Sequence, residues 1–262
     1  MARTDTVVLG YHAVSADWPS SLAVTPARLE QQVRWLLGRG YRGTTFLEAV
    51  TSSDGRTFAV TFDDGYRSVL RAALPVLERL GVPATLFPNI VYLDSDELNV
   101  GPALRRWVDS SYRDELESLT WDEVRLLADK GWEIGSHTVT HPYLTRVSDD
   151  QLERELVDSK LRLEQELGRP CETLAYPSGD HDARVTAAAG RAGYRLAAAL
   201  PRRLPATPHP LAWPRISISR DDSMLLFRLK VSRVVRRLRR SGAWTHVDDL
   251  RRRVGIGPYR AA

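Results

Sequence analysis

Residues 58–66 read Phe58-Ala59-Val60-Thr61-Phe62-Asp63-Asp64-Gly65-Tyr66, an apolar run that ends in two adjacent carboxylates and a glycine. A buried strand that delivers two carboxylates is costly unless a metal ion, a hydrogen-bond network or water compensates them. Taken alone, Asp63-Asp64-Gly65 is equally the chemistry of an ordinary strand-to-helix turn. Its meaning therefore depends on what the rest of the chain supplies.

Outward from this run, short apolar segments alternate with helical periodicity along the whole chain, the pattern of parallel strands joined by crossover helices. Strands are expected near residues 6–11, 57–62, 84–87, 132–135, 172–176, 194–198 and 213–217. Seven such strands are enough to close a ring, so the fold class is α/β, a distorted (β/α)7 barrel of TIM-barrel type. Thr25-Pro26 reads as an N-cap followed by proline at the first helical position, with Leu29, Val33, Leu36 and Leu37 on one face. Thr120 with Glu123, and Ser148 with Gln151, have capping-box spacing. The stripe Leu152, Leu156, Leu163, Leu167 ends at Gly168, a glycine C-cap.

Two stretches depart from this rhythm. Residues 89–118 hold little periodicity; they read either as a wall of a substrate cleft or as a surface excursion with a short helix around Ala103 to Val108. From Asp222 to Arg240 one amphipathic helix is expected, with Phe227, Val231, Val234 and Leu238 on one side and Arg233, Arg236, Arg237, Arg239 and Arg240 on the other. Such a helix can lie on an anionic membrane surface. The favoured reading is a helix that closes the fold and turns an arginine face to water.

The chain has 262 residues, 43% hydrophobic and 27% charged, which suits one large α/β domain and neither global disorder nor a membrane protein. The start, MARTDTVVLGYH, lacks the apolar core of a secretory signal, and no stretch approaches the roughly 18 apolar residues that span a bilayer. A cytoplasmic location is the resulting expectation. The single cysteine, Cys171, excludes an intrachain disulfide and reads as a packed thiol. A net charge of +4 with basic residues gathered toward the C-terminus, only Lys130, Lys160 and Lys230 being lysines, does not point to nucleic acid.

The second informative cluster is Ser136-His137-Thr138-Val139-Thr140-His141. Two histidines four apart share a face if the segment is helical, and both rings can then reach one ion. With a carboxylate, two imidazoles form a hydrolytic metal set that leaves positions open for water and substrate.

The segments Thr61 to Tyr66, His137 to His141 and Leu174-Ala175-Tyr176-Pro177-Ser178-Gly179 resemble, in order, three motifs of the polysaccharide deacetylase family, also called the NodB-homology or carbohydrate esterase family 4 domain. The resemblance covers roughly residues 5 to 220. It implies a catalytic domain over 1–221, with a basic helix and tail over 222–262 packed on it. It also implies roles: Asp63 as general base; Asp64, His137 and His141 as ligands of one divalent metal, zinc foremost, with cobalt, manganese or nickel as the other candidates. Thr138 matches a small hydroxyl position beside these ligands. Tyr176, Pro177, Ser178 and Gly179 match a cleft wall whose backbone amide, at Ser178, faces the oxyanion.

Two positions depart from the family pattern. Where the third motif commonly carries an arginine two residues before its proline, this chain has Ala175; Arg215, alone at the end of the 213–217 strand, is the candidate to take its place beside Asp63. The late histidine that serves many members as general acid is not evident, since neither His209 nor His246 has its surroundings. Tyr11-His12 instead resembles the early Tyr-His pair of a branch with an N-terminal catalytic histidine, which makes His12 the candidate acid.

The function that follows is metal-dependent removal of N-acetyl groups from an amino sugar, oligosaccharide or polysaccharide. The alternatives are O-deacetylation of a small acetylated metabolite, a carbohydrate-binding protein that has lost catalysis, and two-metal phosphate-ester hydrolysis, for which too few ligands are in view. Trp18, Trp107 and Trp213 are either sugar-stacking faces or ordinary core and rim packing. The sequence does not indicate an oligomeric state.

Overall fold

The computed structural model describes residues 5–53, 55–201, 204–205 and 207–240. Along the chain run β1 (Asp5–Tyr11), β2 (Ala13–Val14), β3 (Ala23–Val24), α1 (Pro26–Leu37), β4 (Arg42–Thr44), α2 (Phe46–Thr51) and β5 (Arg56–Asp64). Then follow α3 (Leu74–Arg79), β6 (Thr85–Pro88), α4 (Trp121–Asp129), β7 (Glu133–Ile134), α5 (Asp149–Leu167), β8 (Thr173–Ala175), α6 (Ala183–Arg191) and β9 (Leu196–Ala199). The last elements are β10 (Trp213–Pro214), β11 (Ile216–Ser217), α7 (Met224–Val231) and α8 (Arg233–Arg240).

All ladders between these strands are parallel. They form a sheet in the order β11-β1-β5-β6-β7, with β4 also on β5, a second sheet β10-β9-β8, and the separate pair β2-β3. Two joints connect the larger sheets. Ser136, just past β7, bridges Leu174 of β8, its N–H donating to Thr173 O at 2.9 Å and its carbonyl accepting from Ala175 N at 2.8 Å. On the other side β10 pairs with β9 and β11 pairs with β1, with only Arg215 between them. Pairing thus passes through β1, β5, β6, β7, β8, β9 and the 213–217 segment back to β1, a distorted ring built from the seven expected strands.

Side-chain alternation sorts this ring into two layers. Val7, Leu9, Tyr11, Phe58, Val60 and Phe62 pack outward against Leu29, Val33 and Leu36 of α1, Val124 and Leu127 of α4, and Leu152 and Leu156 of α5. Val8, Ala59, Phe87, Ala175, Leu196 and Ala198 form a separate cluster with Phe46 and Ala49 of α2, the strand residues facing the interior of the ring. On β5 the interior set continues through Thr61 to Asp63, so period-2 geometry turns that carboxylate inward at the C-terminal edge.

The helix signals hold where local chemistry decides. Thr25 accepts from Arg28 N, and the Thr120–Glu123 box closes from both sides. Ser148 accepts from Gln151 N, and Gly168 takes the left-handed φ of 60°. No helix among the described residues is long and apolar enough to cross a membrane.

Two expectations are corrected. The 103–108 helix is a 3-10 segment, Pro102–Trp107, within a folded excursion whose Leu104, Leu116 and Trp107 pack with Trp18 and Tyr66 into a third cluster. The 222–240 helix is two helices, broken at Ser232 where ψ turns to 131°. Phe227 and Val231 are buried, whereas Val234 and Leu238 face outward and Arg236 is buried. The cause is Asp5, a buried carboxylate at the start of β1 that requires a cation: Arg236 Nη2 lies 2.6 Å from its Oδ1 and Arg233 Nε 3.1 Å from its Oδ2. His246 and the rest of 241–262 lie outside the described residues.

Candidate active site

Asp63 and Asp64 leave β5 in opposite directions. Asp63 stays inside the ring, where Arg215 Nη1 and Nη2 donate to its two oxygens at 2.6 and 2.7 Å. Nη1 also donates to Thr61 Oγ1 at 2.9 Å. Arg215 enters from the joint between β10 and β11, its backbone held by Ala199 O at 2.8 Å, and its guanidinium carbon stands 5.7 Å from the Phe87 ring centroid. Gly10, on the neighbouring strand, lies alongside the guanidinium, where a Cβ would make ordinary contact at 3.7 Å. Burial is the largest single influence and by itself would raise the Asp63 carboxyl, but the charge and hydrogen bonds of Arg215, together with His137 and His12, outweigh it and hold the group well below the usual carboxylate range.

Asp64 has φ of 71°, and Gly65 follows at 77°. This left-handed pair turns the Asp64 side chain out over the end of the ring, and a Cβ on Gly65 would meet Pro88 Cβ at 3.0 Å. Two asparagines hold the turn: Asn99 Nδ2 donates to Asp64 O at 2.9 Å and Asn89 Nδ2 to Asp64 Oδ1 at 3.4 Å.

The histidines converge without a helix. Residues 136–142 form a loop in which Thr138 (φ 70°) and His141 (φ 59°) are left-handed. Ser136 Oγ accepts from Thr138 N at 3.0 Å, and Thr138 Oγ1 accepts from His141 N at 3.1 Å. Glu155, reaching in from α5, accepts from Val139 N at 2.8 Å, Thr140 N at 2.9 Å and Thr140 Oγ1. The resulting turn places the two rings 4.9 Å apart, with His137 Nε2 at 3.6 Å and His141 Nε2 at 3.7 Å from Asp64 Oδ1.

These three residues suit a metal ion. Their ligand atoms all lie within 4.8 Å of one another. Donors about 2.0–2.2 Å from one tetrahedral ion sit roughly 3.3 Å apart, close to the spacing found. His137 Nδ1 lies 2.7 Å from Ala175 O. A carbonyl only accepts, so Nδ1 carries the proton and Nε2 offers its lone pair toward Asp64. Burial lowers the His137 pKa to about 4, which keeps the imidazole neutral.

The remaining candidates surround this centre to different degrees. His12, half-buried after β1, has a buried Nδ1 that finds no hydrogen-bond partner among the described residues, and it is one of the groups that act on the Asp63 carboxyl. Ser178 is exposed and left-handed (φ 55°). Gly179 (φ 70°) passes so close to Leu200 that a Cβ would lie 2.8 Å from the Leu200 Cβ. Tyr176 is buried, its hydroxyl donating to Leu211 O at 2.8 Å, and the His181 ring lies flat on it at 5.0 Å. Pro177 is buried beside it. Trp18 is fully buried and belongs to the core, whereas Trp107 and Trp213 are half-buried. Cys171 is buried, and burial pushes its thiol up to about 12. A groove of about 270 Å³ between α5 and α6 holds none of these groups.

Asn89, Asn99 and Glu155 were not anticipated. Glu155 alone left a sequence signal, since it sits three residues after Leu152 and one before Leu156 on the inward stripe of α5. A carboxylate there needs partners.

Comparisons with known proteins bear on the same residues. A family model described as polysaccharide deacetylase matches residues 51–197, a span that contains Asp63, Asp64, His137, His141 and the 176–179 turn and leaves out His12 and Arg215. YxkH of Bacillus subtilis (strain 168) is 28% identical over 195 residues, which is 72% of this chain and 62% of that protein. The chain therefore spans less than two thirds of this curated relative. Among solved structures, BA0330 from Bacillus anthracis is similar with a TM-score of 0.70 at 25% identity, over 87% of this chain and 69% of that one. Deacetylase PplD of Streptococcus pyogenes, solved in complex with acetate, has a TM-score of 0.70 at 24% identity, over 86% and 97%, a likeness of fold.

Proposed function

The chain belongs to the polysaccharide deacetylase family, and from that premise we propose that it hydrolyses acetyl groups, N-acetyl first, on a carbohydrate substrate, using one divalent metal ion. The observation that carries the proposal is the convergence of Asp64, His137 and His141 within 4.8 Å beside a second carboxylate, Asp63, which is bound by an arginine and not shared with the cluster. Two imidazoles and one carboxylate make zinc the first candidate.

When bound, the ion supplies Lewis acidity, polarising the acetyl carbonyl and making water a better nucleophile at neutral pH. The protein's own groups do the rest. Asp63, ionised well below neutrality, takes a proton from the attacking water. Arg215 fixes the orientation of that carboxylate by binding both of its oxygens. The amide of Ser178, in the left-handed turn after Pro177, is assigned to the developing oxyanion. His12 delivers a proton to the departing amine as the carbon–nitrogen bond breaks, leaving acetate and a free amino sugar. Thr138 maintains the turn between the two imidazoles, and Tyr176 and Pro177 support the wall that carries Ser178.

Arg215 also answers the reading of the chain as a mere carbohydrate binder. That reading draws on the absent arginine at Ala175, and the cation is present from another strand.

The test is acetate release from a panel of N- and O-acetylated oligosaccharides and sugar nucleotides, with and without a chelator, alongside metal analysis. One metal per chain and chelator-sensitive release from N-acetylated members are expected. A protein that binds about two metals and releases phosphate, or that binds acetylated glycans without cleaving any, overturns the proposal.

A further inference from the structure

Helix α7 is apolar on two opposite sides, and the described residues cover only one of them. At about 100° per residue, Phe227 and Val231 lie together and Leu225 and Leu229 lie roughly opposite. Phe227 and Val231 are 0% and 2% exposed, with Phe227 edge-on to Trp35 of α1 at 6.0 Å. Leu225 and Leu229 are 68% and 48% exposed; Leu226 joins them, and Val234, at the start of α8, is 66% exposed. Four of the nine exposed large apolar side chains among the described residues therefore fall within ten positions. Single exposed leucines are unremarkable, but a contiguous cluster on one short segment marks a surface made to be covered.

The charge around this ridge says what covers it. Between residues 223 and 240 there is no acidic side chain and there are seven basic ones. Lys230 is engaged by Asp222, and Arg233 and Arg236 by Asp5. Arg228, which flanks the Leu225–Leu229 ridge, and Arg237 project into solvent. Apolar side chains bordered by outward arginines match a surface that is anionic at its skin and apolar beneath, where leucines enter the acyl boundary and guanidinium groups stay among headgroup phosphates.

We propose that α7 and the start of α8 form a docking surface for an anionic lipid bilayer, the protein lying on the membrane without crossing it. The ridge runs down the flank of the ring: α7 begins just after β11 at the catalytic edge, and α8 reaches Asp5 at the opposite end of β1. Docking along this flank keeps the mouth of the candidate site beside the membrane and not beneath it. The inference does not depend on the deacetylase reading.

Co-sedimentation of the full chain with vesicles tests it. Binding is expected to vesicles of phosphatidylglycerol mixed with phosphatidylcholine and not to phosphatidylcholine alone. The double variants Leu225→Ser/Leu229→Ser and Arg228→Glu/Arg237→Glu should each weaken it about tenfold or more, and high salt should weaken the wild type. These positions are exposed, so circular dichroism and acetate release from a soluble substrate should be unchanged. Failure to bind anionic vesicles, equal binding to both vesicle types, or undiminished binding by the leucine variant overturns the proposal. So does a dimer in light scattering that the leucine variant dissociates, because the ridge would then face a second copy of the chain.

Discussion

Arg215 grips Asp63 through both carboxylate oxygens, at 2.6 and 2.7 Å, across 152 residues of sequence and at the joint where the 213–217 segment closes the ring. The pair is buried, so losing the cation has two separable effects. Arg215→Met leaves an uncompensated carboxylate, with a stability loss on the order of 3–5 kcal/mol. It also removes the largest of the influences that lower the Asp63 carboxyl and leaves burial, which raises it, opposed only by His137 and His12. A base that must be ionised then protonates at higher pH, so the acid limb of kcat/KM should move upward. At neutral pH kcat/KM should fall roughly tenfold to a hundredfold. An acid limb that stays in place, measured below the variant's melting temperature, would contradict the assignment of Asp63 as base.

The metal ligands and the proposed acid separate by a different pair of readouts. His137→Ala or Asp64→Asn removes one of three donors and should abolish both stoichiometric zinc and acetate release. His12 is not within the ligand cluster, so His12→Ala should retain the metal while kcat falls about a hundredfold. Metal loss in the His12 variant would move His12 into the ligand set.

Glu155 is expected to act on the metal without touching it. Its carboxylate accepts from the backbone N–H groups of Val139 and Thr140, between the two ligand histidines, and keeps a turn that includes left-handed Thr138. Glu155→Ala leaves those donors unpaired in a half-buried loop. Zinc affinity, measured by competition with a chromogenic chelator at a temperature where the variant is folded, should drop roughly 10–100-fold, and the metal-free protein should melt somewhat lower because those donors lose their partner. Unchanged affinity would show that Glu155 does not set the geometry of the ligand turn.

What could be read in the letters, and what could not, divides along the range of the interactions. The seven strands were legible because each is a local apolar run, and α1 and α4 because caps such as Thr25 and Thr120 act within one turn. Asp64, His137 and His141 were legible as motif positions, although the two imidazoles meet through a left-handed loop and not through helical spacing. Asn89, Asn99 and Glu155 were not, since each acts on a group far off in sequence, the Asp64 carboxylate for Asn89 and backbone groups for the other two, and an asparagine in an irregular stretch has no signature. The break at Ser232 was hidden for the same reason. Val234 and Leu238 carry the helical period of Phe227 and Val231, but a carboxylate at the other end of the chain draws Arg236 inward and rotates α8 off that stripe.

That carboxylate sets the last prediction. Asp5 is buried at the start of β1. Burial raises its pKa, but the hydrogen bond from Tyr41 and the charges of Arg236 and Arg233 outweigh it, so the folded value lies below the ordinary 3.8. A depressed acid contributes stability that is present above its unfolded pKa and lost as pH falls through its folded pKa. Asp5→Asn cannot ionise and leaves Arg236, itself buried, without its carboxylate. The variant should therefore melt roughly 5 °C or more below the wild type between pH 5 and 7, and the gap should begin to narrow below about pH 4, where the unfolded carboxyl takes up its proton, and close as pH falls through the lower folded value. A gap that persists unchanged at pH 3 would show that Asp5 holds α8 through its hydrogen bonds and not through its charge.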